Sequence, residues 1–154
     1  MYTVNTDGGS RWNPGPSGCA FVVAENGKVI ETGKFFLGKM TNNQAEYIGA
    51  MLGLLAAQKI GLKEVHLVMD SELVIRQLQG IYKVKDAELK ILHKKIKDIL
   101  STFSKVQFSS VLREKNKLAD ELANQAMDDE FPIYAYKSET MQSFATANPR
   151  SFFE

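Results

Sequence analysis

The chain has 154 residues, 44% of them hydrophobic and 24% charged, and a formal charge of +1 at neutral pH. These are ordinary globular values: they exclude a disordered chain, and they exclude a polyanion binder that works by bulk charge, so any basic surface must be local. One cysteine, Cys19, permits no intrachain disulfide, and the longest apolar stretch, Ile48–Ala57, is too short to span a bilayer. The expectation is a cytoplasmic protein with no membrane association and no signal peptide, since polar residues enter by Thr3 and Asn5. One domain is expected over residues 1–130, with a C-terminal tail, 131–154, partly packed by its aromatic residues or mobile.

Met1–Thr6 alternates as a strand does and leads into Asp7. Arg11–Gly18 is rich in Pro and Gly and reads as a loop punctuated by Asn13-Pro14-Gly15-Pro16. Cys19–Ala24 and Lys28–Leu37 read as two strands of a hairpin, because Asn26-Gly27 tolerates the positive φ of a tight turn. Thr41-Asn42-Asn43-Gln44 has the pattern of a capping box and opens a helix that continues through Ala45–Ile60 to Gly61. Val65–Met69 is nearly all apolar, as in a central strand covered on both faces. A short helix, Ser71–Gln79, follows and is stopped by Gly80. Asp86–Phe103 carries Leu89, Leu92, Ile96, Ile99 and Leu100 at helical spacing. A strand over Val106–Leu112 and a helix over Leu118–Met127 complete the order. The whole predicts a mixed sheet with helices on its faces.

Four acids stand at strand ends and helix starts: Asp7, Glu46, Asp70 and Asp120. Right-handed crossovers bring the strand ending at Asp70 beside the first strand, and the two helices carry Glu46 and Asp120 to the same edge. Such a cluster is suited to hard divalent cations, which take carboxylate oxygens. Taken singly, each acid also has a structural reading as a turn, a cap or a favourable charge near a helix N-terminus.

The chain resembles the type 1 ribonuclease H family over roughly residues 1–127. The resemblance rests on Thr6-Asp7-Gly8-Gly9-Ser10 with Asn13-Pro14-Gly15-Pro16, on Thr41-Asn42-Asn43 with Glu46, on Asp70-Ser71, and on Asn116 with Ala119-Asp120-Glu121-Leu122-Ala123. It implies an α/β, ribonuclease H-like mixed five-stranded sheet, three antiparallel strands then two parallel, with helices on both faces. The implied activity is hydrolysis of the RNA strand of RNA/DNA hybrids to 5′-phosphate and 3′-hydroxyl ends. Two Mg²⁺ ions, with Mn²⁺ as the alternative, would be held by Asp7, Glu46, Asp70 and Asp120. The backbone at Gly8 and Gly9, with Glu46, would read 2′-hydroxyls; Asn13, Thr41, Asn42, Asn43 and Ser71 match positions that touch the nucleic-acid backbone or minor groove. The implied partner is the hybrid itself, met by a monomer, with contacts through the tail left open. Two other readings stand beside this one: the same site acting on double-stranded or structured RNA, and a noncatalytic hybrid-binding module.

The chain departs from the family at one place. The loop before Asp120 reads Arg113-Glu114-Lys115-Asn116, without the histidine many members carry, and Arg113 is the candidate to stabilise developing phosphate charge. His66 and His93 read as structural or solvated. Lys83, Lys85, Lys90, Lys94, Lys95 and Lys97 form either a solvated helix face or an electrostatic rail for the DNA strand. Trp12 either packs on the fold or stacks on a nucleotide.

Overall fold

A computed structural model describes residues 1–130 and 148–154. The expectation for residues 131–147 of the tail lies outside the described residues. The elements run β1 (Tyr2–Ser10), β2 (Gly15–Glu25), β3 (Lys28–Met40), α1 (Asn42–Ile60), β4 (Glu64–Met69), α2 (Glu72–Leu78), α3 (Ala87–Leu100), β5 (Lys105–Ser110) and α4 (Lys117–Asp129). The five strands form one sheet in the order β3-β2-β1-β4-β5, antiparallel through β1 and parallel beyond it. This is the predicted architecture.

Local signals act where they were read. Asn26 and Gly27 both have positive φ, 48° and 85°, and turn β2 into β3. The Thr41 hydroxyl accepts from the Gln44 N–H at 3.1 Å while Gln44 Oε1 accepts from the Thr41 N–H at 3.0 Å, so both halves of the capping box form. Gly61 closes α1 at φ 96°.

Helices cover both faces. Alternation along β2 sends Cys19 toward Gly49 of α1 and Gly18 toward Ala123, Ala126 and Met127 of α4. The α1 side holds the main core, with Phe21, Phe35, Leu52, Leu67, Met69, Leu92 and Ile96 buried together. Burial there of several such side chains, each contributing about 1.5–3 kcal/mol, is the chief stabilising term. Cys19 is part of this core, and burial pushes its thiol pKa up, which keeps it protonated.

Several boundaries differ from the expectation, among them β3, which ends at Met40 and not Leu37, and β5, which ends at Ser110 and not Leu112. β1 runs on through Asp7 to Ser10, and β2 begins at Gly15, so the loop is shorter than predicted; Gly8 pairs with Cys19 and Ser10 with Ser17. α3 ends at Leu100 because the Ser101 and Thr102 hydroxyls donate to the carbonyls of Asp98 and Ile99, both at 2.6 Å, and satisfy the last turn. Beyond α4, residues 149–153 form a 3₁₀ turn docked on α3. Phe153 is buried, the Phe152 carbonyl accepts from Lys95 Nζ at 2.6 Å, and Arg150 pairs with Glu88 and covers the Phe153 ring at 4.4 Å.

Candidate metal centre and nucleic-acid cleft

β1 and β4 run parallel, with Asn5 opposite Val68, and two residues beyond that pair lie Asp7, on β1, and Asp70, just past the end of β4. α1 reaches them because it lies unusually close to β1. A Cβ on Gly8 would fall 2.4 Å from the Ala45 carbonyl, and one on Gly49 would fall 2.7 Å from the Asp7 carbonyl oxygen. Any side chain at these two positions would push the helix, and with it Glu46, away from the strand. The result is that Asp7, Glu46 and Asp70 each present a carboxylate oxygen within 4.8 Å of the others.

Asp120 comes to the same cleft from α4 but stands outside that close trio. Its Oδ1 accepts from Arg113 at 3.1 Å and from Asn124 Nδ2 at 3.3 Å. Asn116, 2% exposed, braces this end of α4 against β1: its Nδ2 donates to the Thr6 carbonyl at 2.9 Å and its Oδ1 accepts from Asn5 at 3.0 Å.

Negative charge is crowded here with little to offset it. Burial, then the Asp70 charge, pushes the Asp7 carboxyl up to about 8, against a stabilising N–H from Gly8. Burial and Asp70 likewise push Glu46 up to about 7, while a hydrogen bond from the Ser71 hydroxyl lowers it. Asp70 is raised by burial and by Asp120, and lowered by its own backbone N–H and by Arg113. Arg113 is raised in turn by its hydrogen bond to Asp120. A set of close oxygen donors that resist ionising together fits a hard divalent cation, which supplies the missing positive charge.

The other predicted residues fall around this cluster. Gly8 and Gly9 line the cleft, of about 350 Å³, with Asn42 and Arg113. The Asn42 side-chain oxygen accepts from the Ser10 N–H at 2.7 Å, and Asn13 Oδ1 accepts from the Asn42 N–H at 3.1 Å. Asn13, Thr41, Asn42 and Asn43 border a second groove of about 510 Å³. Ser71 caps α2 by accepting from the Val74 N–H at 3.2 Å. The histidines lie elsewhere: His66 Nε2 pairs with Ser109 at 2.6 Å and His93 Nε2 with the Gln77 carbonyl at 2.9 Å. Of the six lysines, Lys95 holds the docked 3₁₀ turn and Lys94 pairs with Asp98; Lys90 and Lys97 are exposed on α3, while Lys83 and Lys85 are exposed in the segment before α3 and so are not part of a helix face.

Two cleft residues were missed in the sequence, Arg11 and Asn124. Arg11 donates to Asp128 at 2.6 Å and to the Asn124 carbonyl at 3.2 Å. The signal for Asn124 was its place four residues after Asp120, one turn along the same helix face. Arg11 carried none, since its partners lie more than 100 residues away in sequence.

A family model described as reverse transcriptase-like matches residues 5–126. A bifunctional protein of Mycobacterium tuberculosis is 39% identical over 150 residues, 96% of this chain, although the chain spans only 41% of that protein's length. A ribonuclease HI of Halobacterium salinarum is 38% identical over 124 residues, 80% of this chain and 62% of that protein. Among solved structures, the N-terminal RNase H domain of the M. tuberculosis protein superposes with a TM-score of 0.81 at 41% identity, over 82% of this chain and 98% of that one. The RNase H1 of H. salinarum gives 0.80 at 36% identity over 83% and 98%. A metagenomic RNase H1 solved with an RNA/DNA hybrid gives 0.80 at 40% identity over 84% and 99%. With the sheet order, the acidic cluster and these relatives in agreement, the chain belongs to the ribonuclease H1 family, within the reverse transcriptase-like group.

Proposed function

We propose that the chain is a metal-dependent endoribonuclease that hydrolyses the RNA strand of RNA/DNA hybrids to 5′-phosphate and 3′-hydroxyl products. The observation that carries this reading is the meeting of three carboxylate oxygens within 4.8 Å at the floor of an open polar cleft. Asp7, Glu46 and Asp70 would hold one Mg²⁺ and Asp120 would complete a second site, with Mn²⁺ as the alternative. Bound, the two ions supply Lewis-acid neutralisation of the phosphate and lower the pKa of a water.

The chain's own residues do the rest. The close trio orients oxygen donors so that no reorganisation is needed as charge develops. Arg113 sets its guanidinium beside Asp120 at the cleft wall, where it can meet negative charge on the phosphate. The backbone at Gly8 and Gly9, with Glu46, would meet 2′-hydroxyls; the missing side chain of Gly8 admits α1, while at Gly9 a Cβ would meet nothing nearer than 3.8 Å, which leaves room for a sugar. Asn13, Thr41, Asn42, Asn43 and Ser71 offer neutral donors and acceptors, which suit recognition of backbone shape over base sequence.

The test is Mg²⁺-dependent cleavage of an end-labelled RNA/DNA hybrid beside an all-DNA duplex and a duplex RNA of the same sequence. Cleavage confined to the hybrid, within the RNA strand and lost on chelation, supports the reading. Cleavage of the duplex RNA at equal rate, or tight hybrid binding without cleavage in Mg²⁺ or Mn²⁺, overturns it.

A further inference from the structure

Trp12, the chain's single tryptophan, is 75% exposed, so among the described residues nothing buries it. A lone exposed hydrophobe is ordinary in itself. What distinguishes this one is its mounting and its place. The backbone around it is tied at several points: the Arg11 N–H donates to the Pro16 carbonyl at 2.9 Å, the Ser10 hydroxyl to the Trp12 carbonyl at 2.5 Å, and the Asn42 N–H to Asn13 Oδ1 at 3.1 Å. Gly15 lies directly beneath, where a Cβ would fall 2.4 Å from the Trp12 carbonyl oxygen and 2.6 Å from the Trp12 Cβ. The indole therefore projects from a fixed base, and little backbone order remains to be imposed when something binds it.

Its place is a ridge. Ser10 and Arg11, before it, line the carboxylate cleft; Asn13, after it, lines the second groove, and Asn42 borders both. A duplex with one strand in each depression presents its minor groove to the ridge between them. In an A-like hybrid that groove is wide and shallow and displays sugars and 2′-hydroxyls. In B-form DNA it is narrow, about 6 Å across. An indole offers a flat apolar face to a sugar ring and an Nε1–H donor to a 2′-hydroxyl or a base acceptor.

We propose that Trp12 is a substrate-binding residue that lays its indole across the sugars of the hybrid's minor groove, between the strand at the carboxylates and the strand at Asn13 and Thr41, and so favours hybrid over B-form DNA. The inference rests on the hydrolase reading above. It uses an aromatic contact that the acid cluster does not require.

Because the chain has a single tryptophan, its emission reports this contact alone. The full chain carrying Asp7→Asn, to slow cleavage, is titrated with an RNA/DNA hybrid while binding is followed independently by anisotropy of a label on the hybrid. Emission is expected to change saturably with the anisotropy, and less with an all-DNA duplex. In the otherwise unaltered chain, Trp12→Ala should raise KM about tenfold with kcat within about twofold, in line with aromatic contacts to single bases, and Trp12→Phe should recover most of the loss. Unchanged emission while anisotropy shows bound hybrid, or an unchanged KM in Trp12→Ala, overturns the contact and leaves the hydrolase reading intact. A hybrid that is neither bound nor cleaved overturns both.

Discussion

The Asp7 carbonyl oxygen lies 2.7 Å from where a Cβ on Gly49 would stand. A helix glycine and a strand aspartate thus set the separation of α1 from β1, and that separation is what lets Glu46 join Asp7 and Asp70. Gly49→Ala gains about 1 kcal/mol of helix propensity but must move backbone, an overpacking cost of about 1–3 kcal/mol. The expected outcome is a net loss of stability and a lower kcat. Chemical denaturation and steady-state cleavage of the hybrid check the two together.

Asp7→Asn removes the most perturbed carboxylate of the trio. Hybrid cleavage should fall by about 10³-fold or more, while hybrid binding by anisotropy changes little, since transition-state stabilisation is lost and ground-state grip is not. Full Mg²⁺-dependent activity in this variant would remove Asp7 from the proposed metal set.

The metal-free protein should lose stability as pH rises. Asp7 and Glu46 titrate near 8 and 7 in the fold, above their ordinary values of 3.8 and 4.5, so the folded state binds protons more tightly than the unfolded chain. The contribution of these two groups is therefore fully present below about pH 4 and is lost as pH rises through 8. In EDTA, Tm should fall across that window, and Asp7→Asn should be the more stable protein at pH 8 by about 1–3 kcal/mol. Added Mg²⁺ should flatten the dependence. A Tm in EDTA that climbs from pH 5 to 8 would contradict the crowded-charge account.

Arg113 holds Asp120 from an exposed position, its side chain 72% accessible, so its replacement should leave the fold intact. Arg113→Ala should lower kcat about 10- to 100-fold with an unchanged Tm, as for loss of one charge stabiliser. Arg113→Lys, which keeps charge but not the planar fork, should fall between. Equal kcat in all three proteins would exclude a role for the guanidinium.

Asn116 is buried and spends both ends of its amide on β1. Asn116→Ala strands the Thr6 carbonyl and Asn5, at a cost of about 1–3 kcal/mol. Cleavage should drop as well, because the same amide positions the start of α4 and hence Asp120. A Tm within a degree of the parent protein would show that the brace carries no load.

Much of this was legible in the sequence because it is local. The Thr41–Gln44 capping box, the Asn26-Gly27 turn and the Gly61 terminator depend on hydrogen bonds and φ values within a few residues, and sequence neighbours suffice to specify them. The four acids were legible through their flanking motifs, and the parallel placement of β4 beside β1 followed from connection handedness. The extension of β1 through Asp7-Gly8-Gly9-Ser10 was not, since those residues show no apolar alternation; their pairing with Ser17–Ala20 of β2 makes the strand.

What only the tertiary structure decided are relations between side chains far apart in the chain: Arg113 on Asp120 rather than on solvent, Asn116 on Asn5 and Thr6, Arg11 on Asp128, and Trp12 left bare on a ridge. Composition and periodicity say which residues can be buried or charged. Which carboxylate is desolvated, and by whose charge it is opposed, is set by distances of a few ångströms that appear only when the helices close on the sheet. Coulomb and desolvation energies vary steeply over such distances, so the sequence could name the acids and the mutual repulsion that raises a pKa among them, but not which carboxyl is raised most.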